Sequence, residues 1–131
     1  MGALRGTILL DTSVLIGIET GRLLADRLVE PAVVSAVTLE ELFLGALRAE
    51  VPGRGPRRRT FDQASHFFVA LPVDAAVART CAEIRAAGRA RGRRYQLADS
   101  LIGATARVHG LALVTQDEGM LGMLGVDVQV L

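Results

Sequence analysis

Short, continuous apolar runs alternate along this chain with segments whose apolar residues recur at helical spacing. A short apolar run bounded by polar residues is typical of a strand that is buried on both faces. The pattern predicts strands at TILLD (7–11), AVVS (32–35), VALPV (69–73), LALVT (111–115) and VDVQV (126–130).

The intervals between these runs favour helices. The clearest stripe runs through Leu39, Leu42, Phe43, Ala46 and Leu47, at the i, i+3, i+4, i+7, i+8 spacing of one helix face. Helices are predicted at SVLIGIE (13–19), RLLADRLVE (22–30), VTLEELFLGALRAE (37–50), RTFDQASHFF (59–68), residues 74–91 and QLADSLIGATARVHG (96–110), the last ending on Gly110 as its cap. PGRGP (52–56) is the strongest break in the chain and predicts a flexible loop.

Alternating buried strands and helices indicate an α/β fold with a short parallel sheet covered by helices on both faces. The 131 residues fit one domain, 1–131, with no internal repeat. In such sheets, ligands bind beyond the carboxyl ends of the strands. That rule selects Asp11, which ends the first strand, and the Thr115–Asp117 segment after the fourth.

Two further acids occupy the starts of predicted helices. Glu41, or its neighbour Glu40, follows the second strand, which places it near Asp11, while Asp99 begins the helix before the fourth strand. Glu41 and Asp99 each have a glycine one turn later, Gly45 and Gly103. Because glycine costs a helix about 1 kcal/mol relative to alanine, these positions suggest that another group approaches closely, either at a site or through helix packing.

Crowded carboxylates attract a neutralising cation, and an all-oxygen ligand set favours Mg²⁺ or Mn²⁺. Such an ion activates water for phosphodiester hydrolysis without histidine or cysteine. All fifteen basic residues are arginine. The absence of lysine argues against receiver domains and haloacid-dehalogenase-type phosphatases, which need one. No phosphate-binding glycine motif of a nucleotide-binding protein is present.

Charge and cysteine content indicate what the protein contacts and where in the cell it works, but not its fold. The formal net charge is only +1, yet arginines cluster at GRGPRRR (53–59) and GRARGRR (88–94), which indicates local attraction for polyanions. The candidates for contact with an RNA backbone are Arg57, Arg58, Arg59, Arg91, Arg93 and Arg94. One cysteine, no signal peptide core and no apolar run long enough to span a bilayer predict a cytoplasmic protein without membrane association.

Four segments in order resemble the motifs of PIN domains, and specifically of VapC-type toxins from bacterial VapBC pairs. They are LLDTSVLI (9–16), SAVTLEELFLG (35–45), QLADSLIGATA (96–106) and LALVTQD (111–117). The resemblance implies a five-stranded sheet of order 3-2-1-4-5 and a Mg²⁺-dependent endoribonuclease, with Mn²⁺ as a possible substitute. By the same resemblance Asp11, Glu41, Asp99 and Asp117 form the catalytic, metal-binding quartet, and Thr12, Ser13 and Thr115 support it.

The chain departs from the family pattern after Asp117. Many relatives carry an asparagine there, followed three residues later by an aspartate and an aromatic residue, where this chain has Met120 and Leu121. Asp117 is therefore expected to bind metal either directly or through water.

The resemblance also implies partners. We expect an RNA substrate, a homodimer and a VapB-type antitoxin whose tail carries an arginine toward the acids and apolar anchors into a groove. Candidate groove residues are Leu15, Ile16, Leu23, Leu24, Leu28, Leu44 and Leu47, although most of them are expected to pack in the core instead. The alternatives are a PIN nuclease of RNA processing outside a toxin pair and an inert PIN module that binds RNA or protein.

Overall fold

Five parallel strands form one sheet in a computed structural model that describes residues 6–49 and 51–131. The strands are β1 (Ile8–Leu10), β2 (Ala32–Ser35), β3 (Ala70–Leu71), β4 (Ala112–Thr115) and β5 (Val128–Val130). Their order is β3-β2-β1-β4-β5, and Leu9 of the central strand pairs with Val33 on one side and Leu113 on the other. The expected fold class and strand order are confirmed, although most strands are shorter than predicted.

Helices cover both faces of this sheet. They are α1 (Thr12–Glu19), α2 (Ala36–Arg48), α3 (Val51–Phe67), α4 (Ala75–Ala90) and α5 (Leu97–His109). Gly110 caps α5 in the left-handed conformation, as predicted. In the part of the chain that the structure describes, no helix is both long and apolar enough to cross a bilayer.

The alternation of side chains along the strands divides the interior into two cores. Leu9 and Leu113 point to the face where α4 and α5 contribute Ile84 and Ile102. The neighbouring strand residues, including Leu10, point to the other face and pack with residues of α1, α2 and α3. Burial on both faces explains why the strands read as unbroken apolar runs.

The helix predicted over RLLADRLVE is wrong. This segment contains only one 3₁₀ turn, Ala25–Arg27. Leu23 is buried, but Leu24 and Val29 are 65% and 81% exposed. Because Leu24 and Val29 find no core to pack against, a longer helix here would gain little from packing.

The loop predicted over PGRGP is also wrong, because α3 begins at Val51 and contains Pro56. A proline this near the start of a helix removes only one intrahelical hydrogen bond. Tertiary contacts stabilise the turn that follows, where the Thr60 hydroxyl lies 2.7 Å from Glu19 Oε1 and 3.1 Å from the Pro56 carbonyl oxygen. Arg57 forms an ion pair with the same glutamate at 3.2 Å.

The two helical glycines differ in their surroundings. A Cβ at Gly103 would lie 2.6 Å from Met123 Sδ, whereas the nearest described atom to a Cβ at Gly45 would be Arg57 Cδ at 3.9 Å. The expected close approach is therefore present at Gly103, where it is packing, and absent at Gly45.

Candidate active site

Asp11 follows the central strand directly and is only 4% exposed. Its Oδ2 accepts hydrogen bonds from the Ser13 hydroxyl at 2.6 Å and the Thr115 hydroxyl at 2.8 Å. Within residues 6–49 and 51–131, its Oδ1 receives none. One oxygen of Asp11 is thus held in place, and the other is left able to bind a cation.

The same two hydroxyls fasten the segment that follows β4. The backbone N–H of Gln116 donates to Ser13 Oγ at 3.0 Å, and the backbone N–H of Asp117 donates to Thr115 Oγ1 at 2.9 Å. Each hydroxyl therefore joins Asp11 to the backbone of the neighbouring loop. The carboxyl ends of β1 and β4 are joined at the edge of the sheet where acids were expected.

Glu41 lies in the second turn of α2 and is partly buried, whereas Glu40 is exposed. The Thr12 hydroxyl donates to Glu41 Oε1 at 2.6 Å and lies 3.0 Å from the Thr38 hydroxyl. Burial raises the pKa of Glu41, the bond from Thr12 lowers it in part, and the charges of Asp11 and Glu40 raise it further. Of the two neighbouring glutamates, Glu41 is the one that faces the site.

Asp99 lies in the first turn of α5. Its pKa is raised from the ordinary 3.8 to about 6, first by burial and then by the charges of Asp11, Asp117 and Glu41. An effect of three carboxylates on a fourth requires them to be close in space. Chain topology alone does not place Asp99 at this edge of the sheet, and here the tertiary structure does.

Asp117 is the most solvent-exposed of the four acids. Its Oδ1 accepts a hydrogen bond from the Gly119 amide at 2.8 Å and so caps the following 3₁₀ turn. Met120, which replaces the acid of many relatives, is fully buried and packs with the α4 and α5 core. At this position the chain has a core residue instead of a further ligand.

The donor set fits a hydrated hard cation. Among the described residues, no three acidic, histidine or cysteine side chains converge tightly enough to make a preassembled metal cage. Mg²⁺ does not require one, since it keeps several waters and binds through one or two carboxylates plus substrate phosphates. The four carboxylates are near enough to raise the pKa of Glu41 and Asp99 but are not gathered into a cage, and this spacing suits that mode of binding.

Two polar residues at the site were not identified from the sequence. Thr38 is fully buried beside Thr12, one turn before Glu41 on the same helix. Gln116 places its Oε1 in the interior without a hydrogen-bond partner among the described residues. The spacing of Thr38 from Glu41 could have revealed the first, because residues three apart share a helix face. No sequence signal marks the second.

Two of the arginines in α3, Arg57 and Arg58, form ion pairs within the protein. Arg57 is paired with Glu19. Arg58 is paired with Asp62 at 3.1 Å, and its guanidinium lies 5.3 Å from the Phe43 ring centre. Arg59 is exposed, and within the described residues its side chain forms no ion pair.

The second group connects α4 to the loop after Asp117. Arg91 donates to the Gly122 carbonyl at 2.7 Å, and Arg93 donates to the Gly119 carbonyl at 2.8 Å. Arg93 also stacks on Tyr95, with 5.0 Å between guanidinium and ring centre. These two arginines hold the loop that carries the fourth acid, whereas Arg94 is exposed and makes no such bond among the described residues.

A family model described as the PIN domain matches residues 8–123. The chain is 42% identical over 121 residues to Ribonuclease VapC4 of Mycobacterium tuberculosis, covering 92% of this chain and 93% of that protein. Ribonuclease VapC5 of the same organism is 36% identical over 118 residues, with 88% and 87% covered.

A solved structure is similar over almost the whole chain. It is VapBC-5 of Mycobacterium tuberculosis, described as a member of the VapBC family of toxin–antitoxin systems, with a TM-score of 0.78 and 31% identity. The match covers 96% of this chain and 98% of the other. Sequence and fold therefore point to the same relatives.

Proposed function

Because this chain belongs to the PIN domain family, we propose that it is a metal-dependent endoribonuclease and the toxin of a type II toxin–antitoxin pair. The observation that carries the proposal is the assembly of four carboxylates at one edge of the sheet, where three of them raise the pKa of Asp99. A cluster of this kind is unfavourable without a cation and is therefore expected at a functional site.

The residues divide into ligands and supports. Asp11, Glu41 and Asp99 hold the cation, with Asp117 binding it directly or through water. Thr12 holds Glu41 through Oε1, and Ser13 and Thr115 hold Asp11 through Oδ2. Among the described residues, Oε2 of Glu41 and Oδ1 of Asp11 accept no hydrogen bond. Because hydrogen bonds already hold these side chains in place, they lose little conformational entropy when the ion binds.

Mg²⁺ is the expected ion, and Mn²⁺ suits the same oxygen ligands. The chemistry that such an ion supplies when bound is activation of water and neutralisation of phosphate charge during phosphodiester hydrolysis. No other nucleophile is needed, in agreement with the positions of the chain's other reactive groups. Cys81 is buried in the α4 and α5 core, and His66 is exposed at the far end of α3.

A free ribonuclease in the cytoplasm would degrade the RNA of its own cell, so the proposal includes a tight protein inhibitor. An apolar groove of about 360 Å³ between α1 and α3 is the proposed seat for the inhibitor's tail. It is lined by Leu15, Ile18, Glu19, Thr60, Gln63, Ala64, Phe67 and Phe68. Phe67 is 71% exposed, which is typical of a surface that a partner covers.

Only Leu15 of the groove residues expected from the sequence lines this cavity. Leu23 is buried in the core of α1, α2 and α3, and Ile16 and Leu28 pack against it. Leu24 and Leu47 are exposed away from the groove lining. The α3 wall of the groove lies in the part of the helix that was predicted from the sequence (59–68), but none of its residues was among the expected groove residues.

The test is cleavage of single-stranded RNA by the purified protein with Mg²⁺ and with EDTA. We expect activity only with the metal, and a loss of about 100-fold or more in Asp11→Asn and in Asp99→Asn. Glu40→Gln is the matched control, since it removes an adjacent but exposed carboxylate. Cleavage that survives EDTA would refute the metal-dependent mechanism, and equal losses in all three variants would refute the assignment of the ligands.

A further inference from the structure

A second cavity, of about 340 Å³, lies where α4 ends and α5 begins. It is lined by Arg85, Arg89, Arg94, Tyr95, Gln96 and Leu97. Three guanidinium groups therefore share one small depression with the first residue of α5, and no carboxylate is among the lining residues.

The charges of this pocket are not neutralised within the protein. Across residues 6–49 and 51–131, neither Arg85, Arg89 nor Arg94 forms a side-chain ion pair. Arg85 and Arg89 stand one turn apart on α4, where like charges destabilise a helix. Such an arrangement costs stability unless an anion occupies the space between the groups.

The pocket is shaped by the connection between the two helices. Gly92 adopts a positive φ of 74°, and the Arg93 amide donates back to the Gly88 carbonyl at 2.7 Å. This turn places the Tyr95 ring against Gly88, where a Cβ would lie only 2.9 Å from the ring. Arg94 is thereby brought beside the last turn of α4 and not directed away from it.

The pocket and the carboxylate site lie on opposite sides of the start of α5. Leu97 lines it, and Asp99 lies two residues further along the same first turn of α5. Since successive helical residues are rotated by about 100°, these two side chains point to opposite sides of the helix start. The orphan amide groups of the α5 terminus add partial positive charge between the two sites, and Gln96 supplies no side-chain cap to offset it.

We propose that this pocket is a phosphate subsite that holds the RNA backbone beside the cleavage position. The inference rests on the proposed nuclease function and assigns to it Arg85, which lies outside both arginine clusters, and Arg89, which lies in the 88–94 cluster but was not a candidate for RNA contact. Guanidinium groups bind phosphate oxygens in a bidentate fork, so three of them in one cavity can hold one or two phosphodiester groups. An RNA strand whose scissile phosphate lies at the acids would reach the pocket by passing over the start of α5.

Arg91 and Arg93 have a different role in this assignment. Their guanidinium groups are already bonded to the carbonyls of Gly122 and Gly119. They position the loop beside Asp117, and Arg94 is the member of this cluster that contacts RNA.

The experiment measures binding of a fluorescent single-stranded RNA oligonucleotide in EDTA, by anisotropy, over a series of salt concentrations. Each phosphate contact contributes about −0.7 to the slope of log K against log salt. Replacing all three pocket arginines by glutamine should make the slope shallower by about one to two. The matched control is Arg27→Gln, Arg48→Gln and Arg79→Gln, which removes the same charge from exposed positions outside the pocket.

Two further variants keep the test informative if the triple variant folds poorly. Arg94→Gln alone should make the slope shallower by roughly half a unit. Changing all three to lysine should preserve most of the slope, because the point charges remain, while weakening binding.

Equal slopes in the pocket variant and the control would overturn the subsite. So would unchanged RNA binding together with lost binding of the inhibitor protein, which would make the pocket a docking site for an acidic segment. The two proposals fail separately. RNA that is bound with the expected slopes but never cleaved with Mg²⁺ would refute the nuclease alone, and cleavage with equal slopes would refute the subsite alone.

Discussion

Three hydroxyl groups distinguish the carboxylates of the site from one another. A hydroxyl has a single proton to donate, and Thr12, Ser13 and Thr115 donate theirs to Glu41 or Asp11. These bonds favour the charged form of the carboxylate that accepts them. Asp99 accepts no comparable bond from the described residues, and burial, followed by the charges of Asp11, Asp117 and Glu41, raises its pKa to about 6. At the residue scale, Asp99 is the acid that depends most on a cation.

Replacing Asp99 by asparagine should therefore stabilise the metal-free protein. An acid whose folded pKa lies above its unfolded value contributes stability at low pH and loses it as pH rises through the folded pKa. For Asp99 that loss falls between about pH 4 and about pH 6. We expect Asp99→Asn to match the wild type near pH 4 and to be more stable near pH 7.5 by about 1 kcal/mol, since solvent screens a partly exposed carboxyl.

Thermal unfolding in EDTA at the two pH values measures this difference. Asp26→Asn, at an exposed position outside the site, should show no such pH-dependent gain. A variant at position 99 that is less stable than the wild type near pH 7.5 would mean that the carboxylate serves the fold.

Among the elements, the corner between α4 and α5 is held by close backbone contacts. Gly88 is buried, and a Cβ there would lie 2.9 Å from both the Arg93 carbonyl oxygen and the Tyr95 ring. The carbonyl belongs to the backbone, which cannot move aside without displacing the corner. The arginine pocket and the loop contacts of Arg91 and Arg93 both depend on this turn.

Gly88→Ala and Gly45→Ala should consequently have opposite effects. Alanine is favoured over glycine in a helix by about 1 kcal/mol, and at Gly45 its methyl group meets only ordinary contacts. We expect Gly45→Ala to stabilise the protein by up to about 1 kcal/mol, and Gly88→Ala to destabilise it by about 1–2 kcal/mol through overpacking.

Chemical denaturation of both variants gives the free energies of unfolding. Gly88→Ala should also lower RNA affinity in EDTA, because it disturbs the pocket. Stabilisation by both substitutions would show that the backbone between α4 and α5 adjusts to a Cβ at Gly88 at little cost. That result would weaken the structural basis of the phosphate subsite.

At the scale of the whole molecule, the carboxylate site and the apolar groove are built by different elements. The carboxylates collect at the carboxyl ends of β1 and β4, while the apolar groove runs between α1 and α3. An inhibitor that covers both needs an apolar segment for the groove and a guanidinium for the acids. Arginine is suited to the second task because it pairs with carboxylate oxygens in a bidentate fork and competes with the metal.

We expect co-expression with the small gene adjacent to this one to yield a stable complex with low nuclease activity. Changing the tail's arginine to alanine should restore part of the RNA cleavage and leave the complex intact, since the apolar contacts remain. Phe67→Ala should instead weaken the complex, because about 3 kcal/mol or more of burial is lost when a covered phenylalanine is removed. Co-purification and cleavage assays separate these outcomes.

A protein that purifies alone, harms no host on expression and binds no neighbour-encoded protein would contradict the toxin role. The nuclease proposal would survive that result, because the cleavage assay tests it independently.

Most of the fold could be predicted from the sequence because local periodicity carries it. Apolar runs indicated all five strands, and the stripe through Leu39, Leu42 and Phe43 indicated α2. The errors occurred where tertiary contacts outweigh local preference. Pro56 reads as a helix breaker, yet contacts to Glu19 through Arg57 and Thr60 keep α3 helical there.

For the site, the sequence by itself singled out four acids by their positions after strands or near helix starts, and the motif resemblance joined them in one quartet. Only the tertiary structure decided that Asp99 comes within electrostatic range of Asp11 and that Glu41, not Glu40, faces inward. It also decided which arginines are engaged and which remain available to an anion. The physical reason is that strand and helix periodicity are properties of neighbouring residues, whereas the charge environment of a side chain is set by groups distant in the chain.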